Sequence, residues 1–240
     1  MAALSLTSRA RRRRASVLRS LPVLHDSVRP IEPSPSRPSH GPDSDELLLA
    51  AAAAGQAHAF DLLVARWGRR VHSFLAQMLG QDGWSEDLTQ DVFVRVHREL
   101  ARRRSDASFA VWLFRIAHNA ALDHLRRRRL QRRTVELFQR GLGPLARTAR
   151  RQPPSTPLAE LEHEELENAL RVAIAALPAD RRAVFLLRER EELSYEEIGA
   201  VLGCAPKTVS SRLARARAEL REALRPYVHG EAEAGGEGAR

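Results

Sequence analysis

Cysteine occurs once in this chain, at Cys204, so neither an intrachain disulfide nor a cysteine-built zinc site can form. A reducing, cytoplasmic compartment is the natural expectation. Lysine also occurs once, at Lys207, and all but one of the 39 basic side chains are arginine. No run of about 18 apolar residues exists, so no membrane-spanning helix is expected. The first residues carry arginines but not the apolar core and cleavage site, in order, of a secretory signal. The nine histidines are scattered, with no HExxH and no other metal-ligand spacing. A metal-dependent or nucleophilic enzyme acting on DNA is therefore disfavoured, and no cofactor or metal is expected. Strand patterning and internal repeats are missing too, which leaves an all-α fold.

What the chain has is positive charge. A formal net charge of +9 over 240 residues points to a polyanionic partner, nucleic acid first. The discount is compositional: so strong an arginine bias beside abundant alanine also fits a GC-rich genome. Residues 1–43 hold the Arg9–Arg14 cluster and Pro22, Pro30, Pro33, Pro35, Pro38 and Pro42, and read as a disordered extension. The cluster could add loose phosphate contacts, but an incidental tail is the favoured reading. Order is expected from 44 to 130, as a helical domain. A flexible basic linker follows over 131–157, marked by Gly141, Gly143, Pro144, Pro153, Pro154 and Pro157. A second helical domain is expected over 158–227, then a Gly- and Glu-rich disordered tail to 240.

The segment Leu193–Leu224 is the most informative. Ser194 and Glu197 form a capping box, Ile198, Val201 and Leu202 recur at helical spacing, and Gly203 supplies a stop. Pro206 suits the first turn of the next helix, although Ala205 before it is a weak cap. Val209, Leu213, Ala216 and Leu220 share one face of that helix. The remaining faces carry Lys207, Thr208, Ser210, Ser211, Arg212, Arg215 and Arg217. A short turn followed by a helix apolar on one side and rich in small donors and cations on the other fits the major groove. The plainer alternative is a solvated arginine-rich surface helix.

In the first domain, Asp43–Asp45 can cap a helix through Leu47–Gln56, and a second helix runs from Ala57 to Leu79. Ser85 can cap the next, whose core face is Leu88, Val92, Phe93, Val96 and Leu100. Away from that stripe lie Asp87, Gln90, Asp91 and Arg95. An acidic, amide-bearing face in a basic protein is poorly placed for DNA and well suited to a basic helix of a protein partner. An Asp91–Arg95 pair on a solvated face is the competing reading. After a polar loop, 101–108, comes a helix over 109–129. Trp112, Ile116 and Ala120 turn inward, and Arg115, His118, Asn119 and Arg126 turn outward. Asn119 can pair with a base edge, and the arginines can hold phosphates. The loop could hold an unstacked base, while Trp112 is read as core before base platform.

Taken together and in order, DELLLAAAAAGQAHAFDLLV, EDLTQDVF, FAVWLFRIAHNAALDHLRRR, ALPADRRAVFLLRER and LSYEEIGAVLG…TVSSRLARARAEL resemble a bacterial RNA polymerase sigma factor. The likeness is to the small two-domain extracytoplasmic-function group of the sigma-70 family. It covers about residues 45–130 and 160–225. The resemblance implies that Asp87, Gln90, Asp91 and Arg95 meet the clamp helices of the polymerase β′ subunit, with the β flap a further contact. It implies that the 101–108 loop, Arg115, His118, Asn119 and Arg126 recognise and open the minus-ten element. Lys207, Thr208, Ser210, Ser211, Arg212 and Arg215 would read the minus-thirty-five element, and the linker would thread toward the polymerase cleft. A monomer in the holoenzyme, held in check by an anti-sigma factor and needing no cofactor, is the implied mode of action. Leu113 stands where housekeeping relatives carry a second aromatic, which implies weaker melting and stricter promoter demands. Ser210 stands where a basic residue is common, and the loop lacks the usual aromatic and glycine. The competing class is a stand-alone helix-turn-helix regulator, which should bind DNA unaided.

Overall fold

The computed structural model describes residues 42–80, 83–103, 107–140 and 158–229. Of the extension expected over 1–43, residues 1–41 lie outside the described residues, whereas Pro42 and Asp43 belong to the first helix; the 141–157 part of the linker and the tail beyond 229 also lie outside them. Every regular element among the described residues is helical.

The first helix, α1 (Pro42–Ala53), begins at the proline itself, so Asp43–Asp45 sit inside its first turn instead of capping it. Asp45 is buried and forms an ion pair with Arg66, whose guanidinium also donates to Ser44 at 2.9 Å. After a turn at Gly55, α2 (Ala57–Leu79) buries Leu63, Trp67, Val71, Phe74, Leu75 and Met78 at three- and four-residue steps. Helix α3 (Ser85–Glu99) buries Val92, Phe93 and Val96. Its cap position is Trp84, and Ser85 is the first helical residue. The Ser85 hydroxyl lies 3.1 Å from His72 Nε2 and does not cap the helix as expected.

A short 3-10 turn (Leu100–Arg102) leads toward α4 (Phe109–Arg140). Phe109–Phe114 are buried at every position, consistent with a helix enclosed by several neighbours. Phe114 meets Phe74 edge-on at 5.4 Å, and Phe109 meets Trp67 edge-on at 5.7 Å. Helix α4 continues to Arg140, past residue 130, where the linker is expected to begin.

The second half comprises α5 (Leu158–Ala176), α6 (Ala179–Glu189), α7 (Tyr195–Leu202) and α8 (Pro206–His229). The capping box forms as expected: the Ser194 hydroxyl accepts from Glu197 N–H at 3.2 Å, and Glu197 accepts from Ser194 N–H at 2.9 Å. Gly203 ends α7 in the left-handed region, with φ of 66°. Val209, Leu213, Ala216 and Leu220 are all buried, as the spacing requires. Arg217 turns back to Glu189 at 3.1 Å and ties α8 to α6.

Gly199 controls how closely α8 can approach α7. A Cβ there would stand 2.6 Å from the Cys204 carbonyl oxygen, a backbone atom that no rotamer change can move. Gly199→Ala is therefore expected to cost roughly 1–3 kcal/mol of stability by overpacking the turn. Urea unfolding checks this, and loss below about 0.5 kcal/mol, the range of an uninvolved surface site, contradicts it.

The two halves pack into a continuous apolar core in this arrangement. Arg182 of α6 is buried and donates to the Leu177 carbonyl at 2.8 Å, and also to the carbonyls of Ala175 and Met78. Arg70 of α2 meets Glu191 at 2.8 Å. Burial pushes the Glu191 carboxyl above its usual range even with Arg70 opposing, so desolvation offsets much of that pair's attraction. Arg182, with carbonyl acceptors from both halves, is a second tie, and burial lowers its own pKa as well.

Candidate functional site

Three faces carry the residues singled out by the sequence. On α3, Asp87, Gln90, Asp91 and Arg95 lie on the side opposite Val92, Phe93 and Val96, and all four are exposed. Arg95 pairs with Glu99 at 3.4 Å, so the Asp91–Arg95 pairing of the competing reading is not the one adopted. Glu86 and Asp87 lie in the first turn, where the helix dipole favours negative charge. Val94 is also exposed beside Asp91 and Arg95, giving the face an apolar element.

On α4 the four residues separate. Asn119 and Arg126 are toward solvent, and Arg126 makes a 3.2 Å contact with Asp123. Arg115 is half-buried, and its guanidinium donates to the Ala200 carbonyl of α7 at 2.7 and 3.1 Å. His118 departs from the expected outward position: it is 6% exposed, and its Nδ1 has no hydrogen-bond partner. Helical periodicity places His118 beside Arg115 and Asn119, but not the second half of the chain that packs over this face. Trp112 is core, as read, with Phe109 at 6.1 Å and the Arg103 guanidinium 5.5 Å from its ring.

The His118 imidazole is lowered from its ordinary 6.5 to about 4, first by burial and then by the charges of Arg126 and Arg212. The sign follows: a histidine depressed on folding stabilises above its unfolded pKa, and that stability is lost as pH falls from 6.5 toward 4. A drop to about pH 4.5 is expected to cost about 2–3 kcal/mol through this side chain. Urea midpoints of the wild type and His118→Gln at neutral and acid pH check it. The variant should lose distinctly less on acidification, and equal losses contradict the assignment.

On α8, Lys207, Ser210 and Ser211 are exposed, and Thr208 is half-buried. Arg215 lies one turn further along the same side. Ser211 donates to the Thr208 carbonyl at 3.0 Å. Arg212 is also half-buried, held by Asp180 of α6 at 3.2 Å and lying 3.8 Å from the Cys204 sulfur. Its charge is partly spent inside the fold. Cys204 is half-buried, less enclosed than a small core residue would be. Lys207 and Arg215 thus present cationic charge to solvent, with the two serines between them.

Sequence reasoning missed the residues that set these faces in place. Arg182, Glu191 and Glu46 act across separations of 104, 121 and 57–63 residues, which no local pattern reveals.

Comparison with known proteins matches residues 63–131 to sigma-70 region 2 and residues 167–220 to sigma-70, region 4. The RNA polymerase sigma-H factor of Pseudomonas aeruginosa is 33% identical over 193 residues, 78% of this chain and 96% of the relative. The ECF RNA polymerase sigma-E factor of Escherichia coli K12 is 34% identical over 192 residues, 77% of this chain and 96% of that one. Among solved structures, CnrH in complex with the cytosolic domain of CnrY aligns with a TM-score of 0.55 and 28% identity. That alignment covers 76% of this chain and 98% of CnrH. The sigma factor RpoE of Bartonella quintana, solved with the anti-sigma factor NepR, shares the fold at a TM-score of 0.52 and 24% identity, over 69% of this chain and 96% of RpoE.

Proposed function

The chain belongs to the sigma-70 family of RNA polymerase sigma factors, in its extracytoplasmic-function group, and on that basis we propose how its surfaces divide the work. It binds core RNA polymerase and directs promoter-specific initiation. The observation that carries this is the presence of both regions, in order, in one chain that spans 96% of its sigma-factor relatives. A stand-alone regulator would leave the 63–131 match without a purpose.

The α3 face is the polymerase side. Asp87, Gln90 and Asp91 offer carboxylates and an amide to basic groups on the β′ clamp helices. Exposed Val94 supplies apolar contact, and Arg95 adds a cation at the end of the face. The α4 face, with Arg115, His118, Asn119 and Arg126, is the minus-ten side. The α8 face is the minus-thirty-five side: Lys207, Thr208, Ser210, Ser211 and Arg215 approach bases and phosphates, and Arg212 orients the helix through Asp180. Short polar side chains such as Ser210 and Ser211 accept or donate to several bases, so Arg215 is the main source of base discrimination on this helix.

In the packed arrangement Arg115 is occupied by Ala200 and His118 is covered, so minus-ten contact requires α7 to leave α4. The α3 face needs no such release. Polymerase capture therefore precedes promoter reading. A regulatory protein that holds the halves together would keep the chain silent, which is the role we assign to an anti-sigma partner. The chain supplies contacts and no catalytic group. No described helix is long and apolar enough to cross a membrane.

Co-elution with core RNA polymerase tests the reading. A one-to-one complex that forms without DNA supports it. Separate elution, together with specific duplex binding by the chain alone, overturns it.

A further inference from the structure

Of the three tryptophans in the chain, two are core: Trp67 is 6% exposed and Trp112 8%. Trp84 is 54% exposed, a cost for a side chain with so large an apolar surface. It stands at the cap position of α3, and its carbonyl accepts from Leu88 N–H at 3.0 Å, so helical spacing holds from Trp84 onward. At that spacing Trp84, Asp87, Asp91 and Arg95 follow one another at i, i+3, i+7 and i+11, along one side of the helix. The tryptophan therefore extends the acidic face by one turn, to the very start of α3.

The ring is held from α4. Its centroid lies 5.8 Å from that of His124, with 45° between the planes, and His124 is itself half-buried. Beside the pair runs a cleft between α3 and α4, lined in part by Leu88, Asp91, Ile116 and His124. Arg95 pairs with Glu99 at 3.4 Å and not with Asp91, so Asp87 and Asp91 remain exposed carboxylates one and two turns from the ring. Glu86 adds another exposed carboxylate in the first turn. Such surroundings repel a phosphate backbone, which argues against a base-stacking role for the indole. They suit a long cationic side chain, whose charge can lie over the indole and beside a carboxylate while its stem packs along Leu88.

We infer that Trp84 is an anchor of the polymerase face: it takes an arginine or lysine from a helix of core RNA polymerase over its indole, and Asp87 closes on the same cation. This rests on the reading of the α3 face as the polymerase side. A rigid aromatic ring concentrates binding energy in one contact, as anchors at protein interfaces do. The carboxylates decide the partner's chemistry. An apolar side chain at the matching position would cover the ring but leave Asp87 facing no charge.

The test titrates labelled core polymerase with the full chain and its variants, and takes the urea midpoint of each variant as a control. Trp84→Ala is expected to weaken binding by about 30-fold, the scale of an interface hot spot, with a urea midpoint like that of any surface substitution. Trp84→Leu keeps apolar area but loses the π face, and should still weaken binding by about fivefold. Trp84→Ala combined with Asp87→Ala should lose about fivefold less than the product of the two single losses, because both act on one cation. Unchanged affinity in Trp84→Ala, while Asp87→Arg with Gln90→Ala loses affinity, overturns the inference and leaves the polymerase reading intact. So does a Trp84→Leu variant as tight as the wild type, or single losses that simply multiply. A urea midpoint that falls along with affinity marks a structural residue and overturns it as well. If Trp84→Ala and the Asp87→Arg, Gln90→Ala variant both bind like the wild type, the reading of the α3 face is removed and the inference with it.

Discussion

Arg182→Met is expected to destabilise the chain by about 3 kcal/mol, through the loss of one buried cation that serves two helix ends. The last carbonyls of any helix have no partner within it and carry the negative end of the helix dipole. Met78 and Ala175 belong to the last turns of α2 and α5, and Leu177 follows directly. One guanidinium serves all three carbonyls, and it is buried while doing so. Methionine fills much of the volume but donates nothing, which leaves three acceptors without their partner. Relief of the arginine's own desolvation offsets part of the loss, so the sum of three lost bonds is not expected in full. Arg182→Lys should recover little, because a point ammonium cannot span acceptors on two helices. Urea unfolding at neutral pH gives the number directly. A loss below about 1 kcal/mol would mean that the carbonyls find water or each other, and that this tie between the halves is dispensable.

Asp87→Arg combined with Gln90→Ala is expected to weaken binding to core polymerase by about 100-fold, within the range for a charge reversal at the centre of a charged interface. Both side chains lie on α3 away from the buried stripe of Val92, Phe93 and Val96, so the fold should tolerate the change. Surface substitutions of this kind cost about 0.5 kcal/mol or less. The two readouts therefore separate cleanly: the urea midpoint stays in place while affinity falls. Titration of labelled core polymerase with each protein supplies the affinities. If the variant binds as tightly as the wild type, the polymerase face lies elsewhere on the molecule. Because the effect is electrostatic, it should also shrink as salt rises.

Local rules carry far along this chain, and they stop where distant segments meet. The capping box at Ser194 and Glu197, the stop at Gly203 and the buried stripe of α8 involve residues within a few turns of each other, and all are formed. The acidic face of α3 follows from periodicity alone, and its carboxylates are exposed as expected. His118 obeys the same periodicity and yet is buried, because α4 is enclosed by a second layer that its own pattern does not announce. Ser85 and Asp43–Asp45 have the chemistry of caps, but His72 and Arg66 compete for Ser85 and Asp45 from α2. Gly199 carries no local mark of the Cys204 carbonyl that lies against it. Glu46 and Arg182 give no signal of their distant partners, since the Phe109 N–H and the Met78 carbonyl lie 63 and 104 residues away. The candidate faces are thus legible in the sequence, and the residues that hold them in register are not.

The most direct measurement is the mapping of RNA 5′ ends made by core polymerase on genomic DNA of the encoding organism, with and without the purified chain. A small set of discrete start sites that depend on the chain, sharing one motif near minus ten and another near minus thirty-five, is the predicted result. Start sites that do not change when the chain is added would contradict the account.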